Sequence, residues 1–503
     1  MRTPSLAPRG GQGFLSSFFS RGAPSRVRCS SPRLNIAHWP STRRATSRTA
    51  KQLSDGEKTY DWPSDVRFWT IEDVERFERY GPGGHHSVVI DDRLENCYRI
   101  LGKLGHGSYS TVWLARDEKT QRLVAVKVCT ADASEKESEI LSLLGDSPEV
   151  GDKDGGDALG RGMIPKLLDK FIIEGPRGNH TCLVTDPAGC SLNQAKTRYH
   201  YKPLNLPVAR SVAAQVVIAV AYLHRKGIVH GDLHLGNVLF RLPEESSLWS
   251  DEEVSEEFWE FEPEPVETVG NTPIPPGVPL VATLPLEFDM ERTDKLRLWD
   301  SHIVLADFGE SCRPSLDSRL ECRTPAHCSP PEGRFEPTEP KSFPSDIWTL
   351  ACAIWDVLTQ RPLFGSSWPF DAANETTRLQ VQALGKLPDQ WWKNWNLRSK
   401  WFTEEGEPIR VDGDTVWTLD HHFESSMNGE RRRYKMRTMG SAEKKALLAM
   451  LRSMLAYKPE QRCNIEEVLA SEWMIRYALP VYKKLRAQDA LQDALQAKKL
   501  KAQ

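Results

Sequence analysis

His230-Gly231-Asp232-Leu233-His234-Leu235-Gly236-Asn237 is the stretch on which the reading of this chain turns. It follows an apolar run, Val208 to Leu223, that reads as a buried helix, and it precedes the strand-like Val238-Leu239-Phe240. A carboxylate followed five residues later by an amide suits phosphoryl transfer. The carboxylate accepts or orients the proton of an attacking hydroxyl, and the amide oxygen helps hold a Mg²⁺ on the phosphates. A polar turn between two core elements would explain the same eight residues. The rest of the chain has to decide.

Upstream, Leu104-Gly105-His106-Gly107-Ser108-Tyr109-Ser110-Thr111-Val112 places two glycines in a turn between apolar segments. Glycines there let backbone N–H groups face phosphates, and these nine residues are the nucleotide-facing candidates. Val124-Ala125-Val126-Lys127 reads as a strand whose Lys127 holds phosphate oxygens, since a lysine in an apolar strand needs an anionic partner. That partner belongs on the helix expected within Ser134 to Leu144. Glu137 has Ile140, Leu141 and Leu144 at +3, +4 and +7 and so sits beside the apolar face; Glu139 is the second candidate. Residues 145–162 read as a flexible Gly- and Asp-rich loop. Two strands around Phe171 and Leu183 then lead to Asp186-Pro187-Ala188-Gly189, a hinge whose Asp186 carbonyl and Ala188 N–H are candidates for adenine.

Downstream, Pro243 to Asp294 is acidic and proline-rich with a single arginine, and it reads as a mostly irregular insertion. The apolar Ile303-Val304-Leu305-Ala306 then runs into Asp307-Phe308-Gly309, whose Asp307 is placed to chelate Mg²⁺ with Asn237. Pro330-Pro331-Glu332, Asp346 at the head of a helix over 345–358, and Arg462 complete the series. Asp346 is expected to buttress the 230–237 loop, and Arg462 to pair with Glu332.

At 503 residues the chain is long enough for one large domain with appendages, and its ten cysteines contain no C-x-x-C pair. That spacing argues against structural zinc or a disulfide framework. No transmembrane span is read, because Val208 to Leu223 contains Arg210, Ser211 and Gln215. The net charge of −3 hides an asymmetry: residues 1–54 carry nine Arg and one Lys with no Asp or Glu. This tract is expected to be a disordered basic tail, with a mitochondrial transit peptide as the alternative.

Taken in order, these motifs resemble those of the eukaryotic protein-kinase family. Within it the chain is most similar to the SR-protein kinases, through G-H-G-S-Y-S-T-V-W, Cys182-Leu183-Val184, the lead-in P-G-G-H-H-S-V-V-I and the insertion before Asp307. The resemblance implies an α+β, two-lobed kinase fold: a small β-rich N-lobe with one helix and a larger, mostly helical C-lobe. It divides the chain into a tail at 1–59, a lead-in at 60–97, a kinase domain at 98–477 and a charged helical tail at 478–503. The domain splits into lobes at 98–186 and 190–477, with the insertion at 243–294. It implies an ATP- and Mg²⁺-dependent Ser/Thr protein kinase with Asp232, Lys127, Asn237 and His234 as catalytic residues. Substrates would be proteins, among them Arg/Ser-rich ones, with no nucleic acid or membrane bound directly. A monomer in cytoplasm and nucleus is expected, or in mitochondria if the tail is a transit peptide. Two departures stand out. Gly231 replaces an arginine that in many kinases grips a phosphorylated loop, and His234 replaces a lysine that touches the transferred phosphate. H-G-D-L-H-x-G-N also occurs in aminoglycoside and choline kinase-like phosphotransferases, the alternative reading. A weakly active pseudokinase scaffold is the third.

Overall fold

The computed structural model describes residues 66–146, 156–198, 202–259, 261–288, 295–320, 323–365, 372–409 and 415–502. The basic tail and the start of the lead-in lie outside them.

The N-terminal part is built on β-branched and apolar runs that pair as one antiparallel sheet. Strands β1 (Arg93–Leu94), β2 (Tyr98–His106), β3 (Ser110–Asp117) and β4 (Arg122–Cys129) are followed by helices α1 (Lys136–Asp146) and α2 (Gly156–Arg161). Strands β5 (Leu167–Gly175) and β6 (Gly178–Thr185) complete a six-stranded sheet in the order β1-β2-β3-β4-β6-β5. Two helices, not one, are thus interposed, and the stretch 145–162 is not wholly a loop. Its last residues form α2, which packs on the central helix α4; Gly160 leaves no room for a Cβ, which would lie 2.4 Å from the Tyr222 side chain.

Next come β7 (Ala188–Ser191), α3 (Leu192–Arg198) and α4 (Leu206–Arg225). α4 is long and apolar enough to cross a membrane, yet 89% of that apolar window is buried inside the protein. It is the axis of the main hydrophobic core, shared with Ile303, Leu305, Trp348, Leu447 and Trp473. Its three polar intruders are absorbed locally. Gln215 donates to the Ser301 carbonyl (2.7 Å), Ser211 lies beside Ser301, and Arg210 pairs with Glu443 (2.5 Å).

Strand β8 (Val238–Arg241) is separated from its antiparallel partner β13 (Ile303–Leu305) by the acidic insertion. The insertion is mostly irregular, as expected, but it is packed against the rest of the protein. The insertion contains α5 (Asp251–Glu257), closed by a Ser250/Glu253 capping box, and the strand pairs β9 (Phe258–Trp259) with β12 (Glu287–Phe288) and β10 (Glu264–Pro265) with β11 (Val281–Ala282). Val254 and Phe258 are buried against Leu114 and Leu123 of the sheet. Val266, Val278 and Ala282 are buried against Phe68, Phe77 and Tyr80 of the lead-in. Phe68 bridges Thr268, and Leu286 N–H donates to the Lys103 carbonyl (2.6 Å). The lead-in adds a buried ion pair between Glu75 and Lys103, with the Tyr80 hydroxyl donating to Glu75 at 2.5 Å. Acidic composition concealed this packing, because the apolar residues stand singly among carboxylates that face water.

Past β13 the chain forms α6 (Glu332–Phe335), α7 (Phe343–Leu358) and further helices, ending in a helix over Leu479–Ala502. Tyr482 and Leu485 of this last helix are buried in the main core, so the packed domain runs past the expected boundary at 477.

Candidate active site

The 230–237 loop is held by one buried carboxylate. Asp346 enters at the start of α7, accepts from the backbone N–H of His230 (2.7 Å) and of Gly231 (2.9 Å), and meets His224 Nε2 at 3.1 Å. These bonds keep its carboxyl below the usual range although burial pushes the other way. His230 accepts at Nδ1 from Asp232 N–H (3.3 Å) and donates from Nε2 to the Ala306 carbonyl (3.2 Å). Burial lowers its pKa, in keeping with that neutral tautomer.

The loop then presents its chemistry. Asn237 Nδ2 donates to the Asp232 carbonyl (2.9 Å) and lies 3.4 Å from Asp232 Oδ2. Asp232 Oδ1 is buried and has no hydrogen-bond partner among the described residues. His234 Nδ1 accepts from Gly236 N–H (3.0 Å), which puts its ring proton on Nε2, 3.6 Å from Asp232 Oδ2. A Cβ on Gly236 would lie 2.6 Å from the His234 ring, so the ring's position depends on glycine there.

Lys127, Glu137 and Asp307 come together across three elements. Lys127 Nζ lies 2.7 Å from both Glu137 oxygens and 2.9 Å from Asp307 Oδ1. Glu137, not Glu139, is therefore the partner, because Ile140, Leu141 and Leu144 turn that face of α1 inward. Burial works against the Lys127 charge, but Asp307 and Glu137 more than offset it and raise its pKa. The same ammonium holds the Asp307 carboxyl down at about 2. Asp307 adopts a left-handed φ of +63°, a strained conformation for a residue with a Cβ. Phe308 N–H donates to Glu137 Oε1 (3.3 Å), tying the strained turn to the ion pair.

The segment after Gly309 is anchored by a carboxylate of its own. Glu310 accepts from Arg319 (2.7 Å) and Arg323 (3.2 Å), with Lys341 at 3.9 Å. Thr324 Oγ1 donates to the Gly231 carbonyl at 3.3 Å. Gly231 has a φ of +79°, and a Cβ on it would meet the Glu310 carbonyl at 2.5 Å. An arginine cannot stand there. At the segment's end Glu332 and Arg462 pair through two bonds of 2.8 and 2.5 Å, both side chains buried.

Leu104, Gly105 and His106 close β2, Gly107, Ser108 and Tyr109 form the turn, and Ser110, Thr111 and Val112 open β3 above Lys127. A Cβ on Gly105 or Gly107 would meet no atom within 4 Å, so the cradle has space on its open side. Asp186 precedes β7 in an extended link. Ala188 is not in a free hinge: it opens β7 and registers with Arg241 of β8.

One residue was overlooked in the sequence. Asp356 lies on α7 ten residues past Asp346 and is buried, and its Oδ1 has no partner among the described residues. Lys196 donates to its backbone carbonyl (2.5 Å), and His327 Nε2 stands 3.9 Å from Oδ2. Burial pushes its carboxyl up to about 6. The available signal was a second carboxylate in an otherwise apolar helix.

The oxygen donors fit a hard cation. Asn237 spends its Nδ2 inside the loop, and Asp307 Oδ2 makes no hydrogen bond among the described residues, leaving two oxygen ligands. Magnesium keeps most of its water or phosphate ligands and asks the protein for few.

The protein kinase domain model matches residues 295–474. The serine/threonine-protein kinase SRPK of Physarum polycephalum is 27% identical over 413 residues, covering 79% of this chain and 90% of that protein. Serine/threonine-protein kinase spk-1 of Caenorhabditis elegans is 36% identical over 178 residues, 35% of this chain and 17% of that protein. Human SRSF protein kinase 3 is 34% identical over 189 residues, 35% of this chain and 33% of that one. The match to the last two thus covers a third or less of their length.

Proposed function

We propose that this chain, which is similar to the SRPK-like serine/threonine protein kinases, transfers the γ-phosphoryl group of ATP to serines of Arg/Ser-rich proteins. The single observation that supports Asp232 as base is its buried Oδ1, without a hydrogen-bond partner among the described residues while Oδ2 lies beside Asn237, which leaves an acceptor for an incoming hydroxyl. In this reading the two lobes enclose ATP between the β-sheet and the α4 half. Lys127, set by Glu137, orients the phosphates under the 104–112 turn, and the 186–188 link borders the adenine. Asp307 and Asn237 would hold Mg²⁺, which neutralises phosphate charge when bound. His234, with its proton on Nε2, positions Asp232.

Protein substrates are favoured over small alcohols by the anchored 309–332 segment, which ends in the Glu332–Arg462 pair. Arginine-bearing substrates are favoured by Asp356. Its buried Oδ1 has no hydrogen-bond partner among the described residues, and a substrate guanidinium would supply one.

The test is Mg²⁺-dependent turnover on an Arg/Ser peptide, a peptide with lysine in place of arginine, and a panel of amino alcohols. The Arg/Ser peptide should be the preferred acceptor. Asp232→Asn should retain nucleotide binding and lose about three or more powers of ten in kcat. Preferred phosphorylation of an amino alcohol, or full activity of Asp232→Asn, would sink the proposal.

A further inference from the structure

The tip of the glycine turn carries a ring that the phosphate cradle does not need. Tyr109 is 41% exposed, and its backbone is already fixed, with Thr130 N–H donating to its carbonyl at 2.8 Å. Its ring is approached by two guanidinium groups from distant parts of the chain. Arg323, in the segment after Gly309, lies 4.7 Å from the ring centroid. Arg79, from the lead-in, lies 5.8 Å away and also donates to the Ser108 carbonyl at 3.3 Å. Both distances fall within the range at which an aromatic face attracts a cation.

Neither arginine is a loose surface cation that happens to drift over the ring. Arg323 bonds Glu310, and its neighbour Thr324 bonds the Gly231 carbonyl of the catalytic loop. Arg79 faces Asp132 at 3.5 Å, and its own short helical turn is packed through Phe77 and Tyr80 against the insertion. The ring therefore joins the phosphate-covering turn both to the peptide-side segment and to the lead-in.

We propose that Tyr109 is a latch: its ring, held over Arg323, keeps the glycine turn closed above the nucleotide phosphates and couples that closure to the Arg323–Glu310 pair and the Thr324–Gly231 bond. It is a positioning residue, acting through the backbone of residues 107–111. The idea rests on the nucleotide site described above, but the stack is a property of the chain alone. An attraction of this kind at an exposed site is worth about 0.5–1 kcal/mol, which corresponds to roughly 2–5-fold in affinity.

The test uses the full chain. Calorimetric affinity for Mg·ADP should fall about 2–5-fold in Tyr109→Leu, which keeps bulk but removes the π face, and should stay at the wild-type value in Tyr109→Phe. Arg323→Gln, which retains a donor for Glu310, should weaken binding like Tyr109→Leu, and the double variant should be no weaker than the worse single one. Amide hydrogen exchange over 107–111, without nucleotide, should quicken in Tyr109→Leu and not in Tyr109→Phe. Unchanged exchange and affinity in Tyr109→Leu would overturn the latch. So would strictly additive losses in the double variant, or equal losses in Tyr109→Phe. If the wild-type chain binds no Mg·ADP, the kinase reading fails, and the exchange comparison alone still decides the latch.

Discussion

At the scale of single residues, the two aspartates of α7 show how one side chain type takes opposite roles. Asp346 is buried with three donors around it and its carboxyl is held low; Asp356 is buried with one oxygen bare and its carboxyl is raised to about 6. If Asp356 receives a substrate arginine, it must be ionised to do so. KM for an Arg/Ser peptide should then fall as pH rises through about 6 and level off above it, measured where chemistry limits turnover. Asp356→Asn should raise KM and abolish that slope while leaving KM for ATP alone; an unaltered KM would remove Asp356 from substrate recognition. The same raised pKa makes the fold bind this proton more tightly than the unfolded chain, so the stability it contributes is lost as pH rises from about 4 to 6. Glu332 and Arg462 supply a different residue-scale prediction. Arg462→Ala strands a buried carboxylate and should cost about 3–5 kcal/mol in urea unfolding; a loss below about 1 kcal/mol would show that water reaches the pair.

At the scale of elements, legibility in the sequence followed periodicity. Helix α1 could be read because Glu137 and its three apolar neighbours repeat at helical spacing, and the same is true of α4 and α7. The Asp232, Asn237 and Asp307 turns could be read because each has a fixed offset from an apolar strand. The lead-in and insertion could not, since β9 to β12 are two residues each and the lead-in's Phe68 bridges Thr268, two hundred residues away in sequence. Asp356 was missed because nothing local distinguishes a bare carboxylate from a paired one. The insertion, once seen, yields a sharp contrast. Phe258→Ala, emptying a site under Leu114 and Leu123, should destabilise the protein by about 3–5 kcal/mol. Asp251→Ala removes ion pairs to Arg99 and to the buried Arg116, which keeps a bond to the Gln121 carbonyl, and should cost less than Phe258→Ala. Denaturant midpoints check both, and equal losses would mean that charge, not burial, holds the insertion.

At the scale of the whole molecule, the C-terminal helix belongs to the core. Truncation after residue 478 removes Tyr482 and Leu485 from it and should lower the thermal midpoint by several degrees. Truncation after residue 490 removes Leu491 and Leu495, both exposed, and should leave the midpoint unchanged. A silent first truncation would return the domain boundary to 477.

The bridge between Phe68 and Thr268 has a consequence for how the chain is made. Phe68, Phe77 and Tyr80 leave the ribosome long before the residues that cover them. At about 5–20 residues per second, that interval is roughly 10–40 s. For that time the nascent chain displays an aromatic cluster with no lid. Such a surface is a natural docking place for chaperones, so pausing translation between residues 80 and 266 should lengthen chaperone occupancy on the ribosome, whereas pausing after residue 300 should not.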